Sequence, residues 1–143
     1  MKGNLTVSAS TLINSPAKRV WKALTDPEKV KQYLFGTNMK TDWKEGSPIT
    51  YEGEYQGKTY LDKGVVNKYK PEEELQTTYW SSMSGKEDTP ENYNTVTYTL
   101  EKEGNGTRLT LMQDNIHSEK ELEHLKENWN TVLAKIKEIA ETF

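Results

Sequence analysis

Apolar and polar residues alternate along the middle of the chain with the period of two that is typical of β-strands. The pattern is clearest where Val96, Tyr98 and Leu100 alternate with threonines. The same alternation predicts strands over residues 4–13, 49–55, 59–69, 75–83, 93–103 and 107–115. Short polar segments separate these stretches, and strands joined by short turns pair antiparallel. The pattern therefore predicts an antiparallel sheet of six or seven strands.

Two short helices are predicted directly after the first strand. Ser15 precedes Pro16 and Asp26 precedes Pro27, so each pair combines a favoured N-cap residue with a proline at the first helical position. The second helix is expected to end near Gly36. Two such helices bury little surface by themselves, and we expect them to close one edge or one end of the sheet.

A long helix is predicted over residues 119–142, which contain neither glycine nor proline. Ser118 and Glu121 have the spacing of a capping box at its start. One side of this helix is apolar and consists of Leu122, Leu125, Trp129, Val132, Leu133, Ile136, Ile139 and Ala140. We expect one α+β domain, residues 1–143, in which a curved antiparallel sheet grips the long C-terminal helix, with two short helices after the first strand.

Composition and charge exclude several classes of function. The formal net charge is −3 and only Arg19 and Arg108 are arginines, so no basic stripe exists for phosphates and nucleic-acid binding is not expected. No apolar run of about 18 residues predicts a membrane span. The first residues lack the apolar stretch of a signal peptide, and we expect a cytoplasmic protein. Cysteine is absent, which excludes disulfides and thiolate chemistry.

Candidate catalytic and metal-binding residues are few. His117 lies just before the long helix and His124 lies outside its apolar side, so both are expected at the surface. No spacing of histidines or carboxylates matches a metal motif, and we expect neither a metal nor another cofactor. Asp62 and Lys63 are adjacent within a predicted strand, and we expect one to face solvent and the other to lie at the sheet edge. A binding protein is therefore favoured over an enzyme.

Four stretches of the chain resemble a known superfamily. They read INSPAKRVWKALTDPEKVKQYL, DWKEGSPITYEGEYQGKTYLDKGVV, PEEELQTTYW and ENWNTVLAKIKEIAE, in family order and over nearly the whole chain. The set resembles the START-like helix-grip superfamily, also called SRPBCC, and within it the group named after the activator homologue of the heat-shock protein 90 ATPase. The resemblance implies that the gap between sheet and helix is a ligand cavity in many members. The superfamily includes lipid and hormone carriers, aromatase/cyclase enzymes and co-chaperone domains.

The chain is rich in aromatic residues, with 4 Trp, 8 Tyr and 2 Phe. Aromatic rings fill cores and also line cavities, and the alternative that they only fill the core stays open. The candidate cavity-lining residues are Tyr33, Phe35, Trp43, Tyr51, Tyr55, Trp80, Tyr98, Leu111, Trp129, Leu133 and Ile136. One polar residue turned inward would orient the polar end of a ligand, and the candidates are Asp42, Asp62, Lys63, Gln113 and Asp114.

The leading hypothesis is that the chain binds a small apolar or amphipathic molecule between the sheet and the C-terminal helix. The first alternative is a co-chaperone or stress-response interaction domain of the heat-shock protein 90 ATPase activator type, with a chaperone as its partner. The second is a cyclase-like enzyme that uses polar cavity residues. A homodimer is compatible with the sequence. A carrier needs an enclosed apolar space, an enzyme needs polar groups that converge inside it, and a co-chaperone needs neither.

Overall fold

The structure is a computed structural model that describes residues 3–34 and 36–143, without the side chain of Tyr55. In chain order the elements are β1 (Leu5–Ile13), α1 (Ala17–Thr25), α2 (Pro27–Tyr33), β2 (Asn38–Lys40), β3 (Pro48–Tyr55), β4 (Lys58–Lys70), β5 (Glu74–Tyr79), a 3-10 helix (Pro90–Asn92), β6 (Asn94–Glu103), β7 (Gly106–Ile116) and α3 (Glu119–Thr142). The seven strands of these residues form one antiparallel sheet in the order β1-β7-β6-β5-β4-β3-β2. The face turned toward the helices is called the inner face below.

The predicted architecture is confirmed: an antiparallel sheet, two short helices after the first strand and a long C-terminal helix. The alternation of Val96, Tyr98 and Leu100 also holds, because all three side chains are buried on the inner face. The sequence did not reveal β2, which pairs with the middle of β3 between Asn38↔Glu52 and Lys40↔Thr50. A strand of three residues is too short to display a period of two.

The predicted cap of the first short helix is wrong. α1 begins after Pro16, and no side chain caps its N-terminus. The hydroxyl of Ser15 instead donates a buried hydrogen bond to the carbonyl of Ala140 at 2.9 Å, which ties the start of α1 to the end of α3. The second cap is confirmed, because the Asp26 side chain accepts a hydrogen bond from the Glu28 amide at 3.0 Å.

The capping box of α3 is confirmed in one of its two halves. The Ser118 hydroxyl accepts a hydrogen bond from the Glu121 amide at 3.1 Å. The Glu121 carboxylate reaches past Ser118 and accepts from the His117 amide at 3.3 Å. His117 and His124 are both exposed, as predicted. α3 thus has a fixed starting point at the end of β7.

The two halves of α3 differ in how they are packed. The C-terminal half buries Val132, Leu133, Ile136, Ile139 and Ala140 against β1, α1 and the inner face. In the N-terminal half, the apolar side chains at positions 122, 125 and 129 are only half-buried. α3 packs chiefly along β1, at one edge of the sheet, so the inner face over the middle strands is covered less completely. No helix of the described residues is long and apolar enough to span a bilayer.

Candidate functional site

Four tyrosines meet on the inner face and are referred to as the tyrosine cluster: Tyr33, Tyr51, Tyr79 and Tyr98. Tyr33 is the last residue of α2, and the other three lie on β3, β5 and β6. Burial, and then the nearby hydroxyls of Tyr98 and Tyr51, raise the pKa of Tyr33 well above its usual value. The tyrosine cluster therefore joins residues from α2, β3, β5 and β6, which are far apart in the sequence.

Strand register places a carboxylate beside this cluster. Tyr51 of β3 lies directly opposite Asp62 of β4. Lys63 pairs with Trp80 across the next strand boundary, and directly opposed residues share a face. Because successive side chains alternate between faces, Asp62 and Tyr79 then lie together on the inner face, and Lys63 and Trp80 lie together on the outer face.

Asp62 is buried, with 7% of its surface exposed. The Tyr79 hydroxyl donates a hydrogen bond to Asp62 Oδ2 at 2.5 Å, and the Ser82 amide donates to Oδ1 at 3.1 Å. The expectation that Asp62 faces solvent or lies at the edge of the sheet is therefore wrong. Lys63 does face outward, where it forms an ion pair with Asp88. Strand alternation separates these neighbouring residues onto opposite faces.

Tyr51 and Tyr79 form the more accessible side of the cluster. Both are half-buried, and their rings meet edge to face with centroids 5.7 Å apart. Burial raises the pKa of Tyr51, a hydrogen bond from Thr77 opposes this rise, and the charge of Asp62 adds to it. Burial and the hydrogen bond to Asp62 raise the pKa of Tyr79. Both phenols consequently stay neutral at physiological pH and can donate hydrogen bonds.

Tyr98 lies deeper, with 9% of its surface exposed. Its hydroxyl has no hydrogen-bond partner among the described residues, whereas the Tyr33 hydroxyl donates to the carbonyl of Leu24 at 3.1 Å. Burial, and then the nearby Tyr51, raise the pKa of Tyr98. The fully buried side-chain atoms without a partner among the described residues are Arg19 Nε and Trp21 Nε1, so the Tyr98 hydroxyl is a donor that stays open to water or to a ligand.

Trp129 of α3 covers the cluster from the helix side. Its indole ring meets the ring of Tyr98 edge to face, with centroids 6.4 Å apart. The indole Nε1–H donates a hydrogen bond to Gln113 Oε1 at 2.7 Å. Gln113 is buried and lies on the inner face of β7, so the tryptophan is held at both its ring and its nitrogen.

The other predicted lining residues occupy three kinds of place. Leu111, Leu133 and Ile136 are buried in the apolar core. Trp43 packs on Tyr69, with ring centroids 5.4 Å apart, and Tyr69 lies near the opposite end of β4 from Asp62. These residues support the fold around the cluster but do not join it. The predictions for Phe35 and for the Tyr55 side chain fall outside the described residues.

Trp80 lies on the outer face, away from the tyrosine cluster. Its ring stacks on Tyr93 with centroids 6.4 Å apart, and the Lys63 ammonium lies 5.8 Å from its centroid. Trp80 is one of the predicted cavity-lining residues, whereas its neighbour Tyr79 is not. The strand pattern contained the necessary signal, because Leu75 and Tyr79 share one phase of the alternation and Trp80 has the other.

Two surface grooves of the described residues lie away from the cluster. One, of about 460 Å³, runs between β1 and α3 beside Ser10 and Lys137. The other, of about 600 Å³, lies on the outer face beside Lys63 and Tyr93. Neither is lined by the tyrosine cluster or by Asp62.

A curved antiparallel sheet that holds a long C-terminal helix defines the helix-grip class of proteins. The family model described as "Activator of Hsp90 ATPase homolog 1-like protein" matches residues 14–141 of this chain. Because the match extends over most of the sequence, the chain belongs to that family. The family resemblance of the four sequence stretches is thereby confirmed.

Solved structures agree with this assignment. The chain is similar to ChR145 from Cytophaga hutchinsonii, with 44% identity, 99% of this chain and 97% of that chain covered, and a TM-score of 0.86. It also resembles the Aha1 dimer from Colwellia psychrerythraea, with 17% identity, coverage of 96% and 97%, and a TM-score of 0.75. DynU16, from the dynemicin biosynthetic locus, shares 20% identity over 96% of this chain and 47% of that chain, with a TM-score of 0.78. The last two likenesses show the fold alone. No curated protein matches the chain.

Proposed function

We propose that this chain binds a small apolar or amphipathic molecule between the inner face of the sheet and the N-terminal half of α3. The observation that carries this proposal is the group of neutral phenols beside the half-buried part of α3, in which Tyr98 meets Trp129 and its hydroxyl has no hydrogen-bond partner among the described residues. A ligand acceptor atom placed there would satisfy this donor.

The packing of α3 supports an entrance on the same side. Leu122 and Leu125 are half-buried and do not belong to the set of side chains packed against the core. Together with Trp129 they give the N-terminal half of α3 an apolar side that a ligand can contact. Burying about 200 Å² of apolar ligand surface would contribute on the order of 5 kcal/mol, before the cost of ordering the ligand.

The chemistry of the cluster defines the ligand further. Neutral phenols at Tyr51 and Tyr98 can donate hydrogen bonds to a ligand, whereas the Tyr79 hydroxyl already donates to Asp62. The rings of all three offer flat apolar surface. Such a site suits a molecule with a ring or short chain and a polar group at one end. Specific polar contacts of this kind orient a ligand, while apolar contacts provide most of its affinity.

The test uses naphthalen-1-ylmethanol as a neutral probe and follows the indole N–H signals of the tryptophans by NMR. We expect a saturable shift of the Trp129 signal and no saturable shift of Trp80, which lies on the outer face. Tyr98→Phe should weaken binding several-fold, since it removes only the unpaired hydroxyl. Absence of saturable binding, or a shift confined to Trp80, would contradict the proposal.

A chaperone partner is a second candidate, and family membership is the observation that favours it. The family carries the name of an activator of the Hsp90 ATPase, and we extend that activity to this chain only as a proposal. The test is the rate of ATP hydrolysis by Hsp90 from the same organism with and without the chain. A stimulation that persists in Tyr98→Phe would show that the chaperone uses a surface separate from the cluster.

A further inference from the structure

Asp62, beside the tyrosine cluster, is a buried carboxylate that no cation of the described residues neutralises. The five ion pairs of these residues involve other carboxylates, and the nearest lysine in sequence, Lys63, is on the outer face with Asp88. Asp62 accepts one hydrogen bond at each oxygen and donates none. An ionised carboxylate has about four acceptor positions, so about two of those of Asp62 stay open.

A buried carboxylate without a cation is costly to keep in a folded protein. The two hydrogen bonds hold the group in a fixed position without neutralising it. Lys63 is adjacent in sequence, but strand alternation directs it to the opposite face. The charge is therefore oriented toward the cluster and lacks a counter-ion.

Two aromatic rings lie next to this carboxylate. Tyr79 donates its hydroxyl to Asp62, Tyr51 lies directly opposite Asp62 in the sheet, and the two rings meet edge to face. The faces of aromatic rings are electronegative and attract cations, most strongly where water is excluded. A carboxylate beside two tyrosine rings is a chemical environment for a cationic amine, and it disfavours an anionic group.

We infer that the ligand of this site carries a cationic amine at its polar end and that Asp62 is its counter-ion. This inference rests on the proposed function, because the amine would belong to the molecule held between the inner face and α3. Tyr51 and Tyr79 would flank the ammonium group, and Tyr98 would contact the ligand farther from it, where its hydroxyl can donate to an acceptor atom.

The experiment compares three probes that share one ring system and differ in charge: naphthalen-1-ylmethylamine, naphthalen-1-ylmethanol and naphthalen-1-ylacetate. Affinities for the whole chain are measured at pH 7 and constant salt by calorimetry, with the Trp129 signal as a check on location. We expect the amine to bind at least ten-fold more tightly than the alcohol and the acetate to bind most weakly.

Two variants assign the preference to one carboxylate. Asp62→Asn should bring the affinities of the amine and the alcohol to within about two-fold of each other. Asp88→Asn is the matched control, because it removes the same charge from the outer face and should leave the preference unchanged. Tyr79→Phe retains the carboxylate and should retain the preference.

The outcomes separate the inference from the function on which it rests. Equal binding of amine and alcohol to the unmodified chain, or a preference that survives Asp62→Asn, would overturn the inference and leave the proposed function standing. Absence of binding by all three probes would overturn the proposed function itself. If Asp62→Asn fails to fold, equal binding of the amine and the alcohol to the unmodified chain would still overturn the inference.

Discussion

The ring of Trp129 stands almost perpendicular to that of Tyr98, at 86°, while its indole nitrogen donates to Gln113 at 2.7 Å. This relationship joins the half-buried part of α3 to the sheet at the tyrosine cluster. The apolar residues before and after Trp129 in α3 differ in burial, because Leu125 is half-buried and Val132 is buried. Trp129 is thus the point where the firmly packed part of α3 ends.

Replacing this tryptophan should have a moderate cost. Trp129→Ala removes a half-buried ring and leaves Gln113 unpaired, so we expect a loss of about 2–3 kcal/mol in the free energy of unfolding, below the ~3–5 kcal/mol of a fully buried tryptophan. Urea denaturation measures the change. Leu122→Ala in the same half of the helix is the control and should cost under about 1 kcal/mol. Equal costs for the two variants would show that Trp129 is not a packing contact.

The Asp62 carboxylate and the Tyr79 hydroxyl should respond differently to mutation. Asp62→Asn removes a buried charge and keeps one acceptor oxygen for Tyr79, but its NH2 group then faces the Ser82 N–H, which loses its acceptor. The two effects oppose each other, so the free energy of unfolding of the ligand-free chain should change by less than about 1 kcal/mol. Tyr79→Phe leaves the carboxylate with one hydrogen bond fewer and should cost about 1–3 kcal/mol. Thermal or urea unfolding compares the two. A large loss on Asp62→Asn would mean that this charge serves the fold and not a ligand.

The spacing between β4 and β5 depends on Gly64. A Cβ atom at this position would lie 1.7 Å from the Thr78 carbonyl oxygen, so Gly64→Ala must displace backbone. We expect a loss of more than about 3 kcal/mol, measured by urea unfolding. Gly53→Ala is the matched control, because its Cβ would meet the end of the Tyr60 side chain, which can move. The prediction fails if Gly53→Ala is the more damaging of the two.

The outer face contains a pair of groups whose ionisation can be measured. Burial and the hydrogen bond to Asp88 raise the pKa of Tyr93 to about 12, while Lys63 and Tyr93 lower the pKa of Asp88. A raised phenol pKa contributes stability that is present below the unfolded value and is lost as the pH rises through 12. The lowered pKa of the Asp88 carboxyl contributes stability that is present above the unfolded pKa. This contribution is lost as the pH falls through the folded pKa.

The Tyr93 pKa is measured by NMR of the phenol carbon across an alkaline titration. Asp88→Asn removes the negative charge that opposes phenolate formation, so it should lower the pKa of Tyr93. Asp42→Asn removes an exposed carboxylate elsewhere and serves as the control. An unchanged Tyr93 pKa in Asp88→Asn would show that burial alone accounts for the shift.

The sequence was sufficient for the fold because its signals are local and repeated. The alternation in β6, the cap at Asp26 and the apolar side of α3 each depend on residues close together in the chain. β2 was missed because its three residues form a strand only through their pairing with β3. The role of Ser15 was missed because its partner, Ala140, is 125 positions away.

The site was less predictable for the same physical reason. Composition indicated aromatic residues, but only strand phase separates Tyr79 on the inner face from Trp80 on the outer face. Charged residues are seldom buried, and for this reason we expected Asp62 near solvent. Asp62 is nevertheless buried, and it is the residue for which we infer a ligand contact. Such exceptions are where function is expected, and a single sequence does not identify them.

If the inner face beneath α3 holds the ligand, a bound probe must contact the rings on that face. Intermolecular nuclear Overhauser effects between naphthalen-1-ylmethanol and the protein measure these contacts. We expect contacts from the probe to the rings of Tyr98 and Trp129. Contacts to Trp80 and Tyr93 on the outer face, with none to Tyr98 or Trp129, would contradict this expectation.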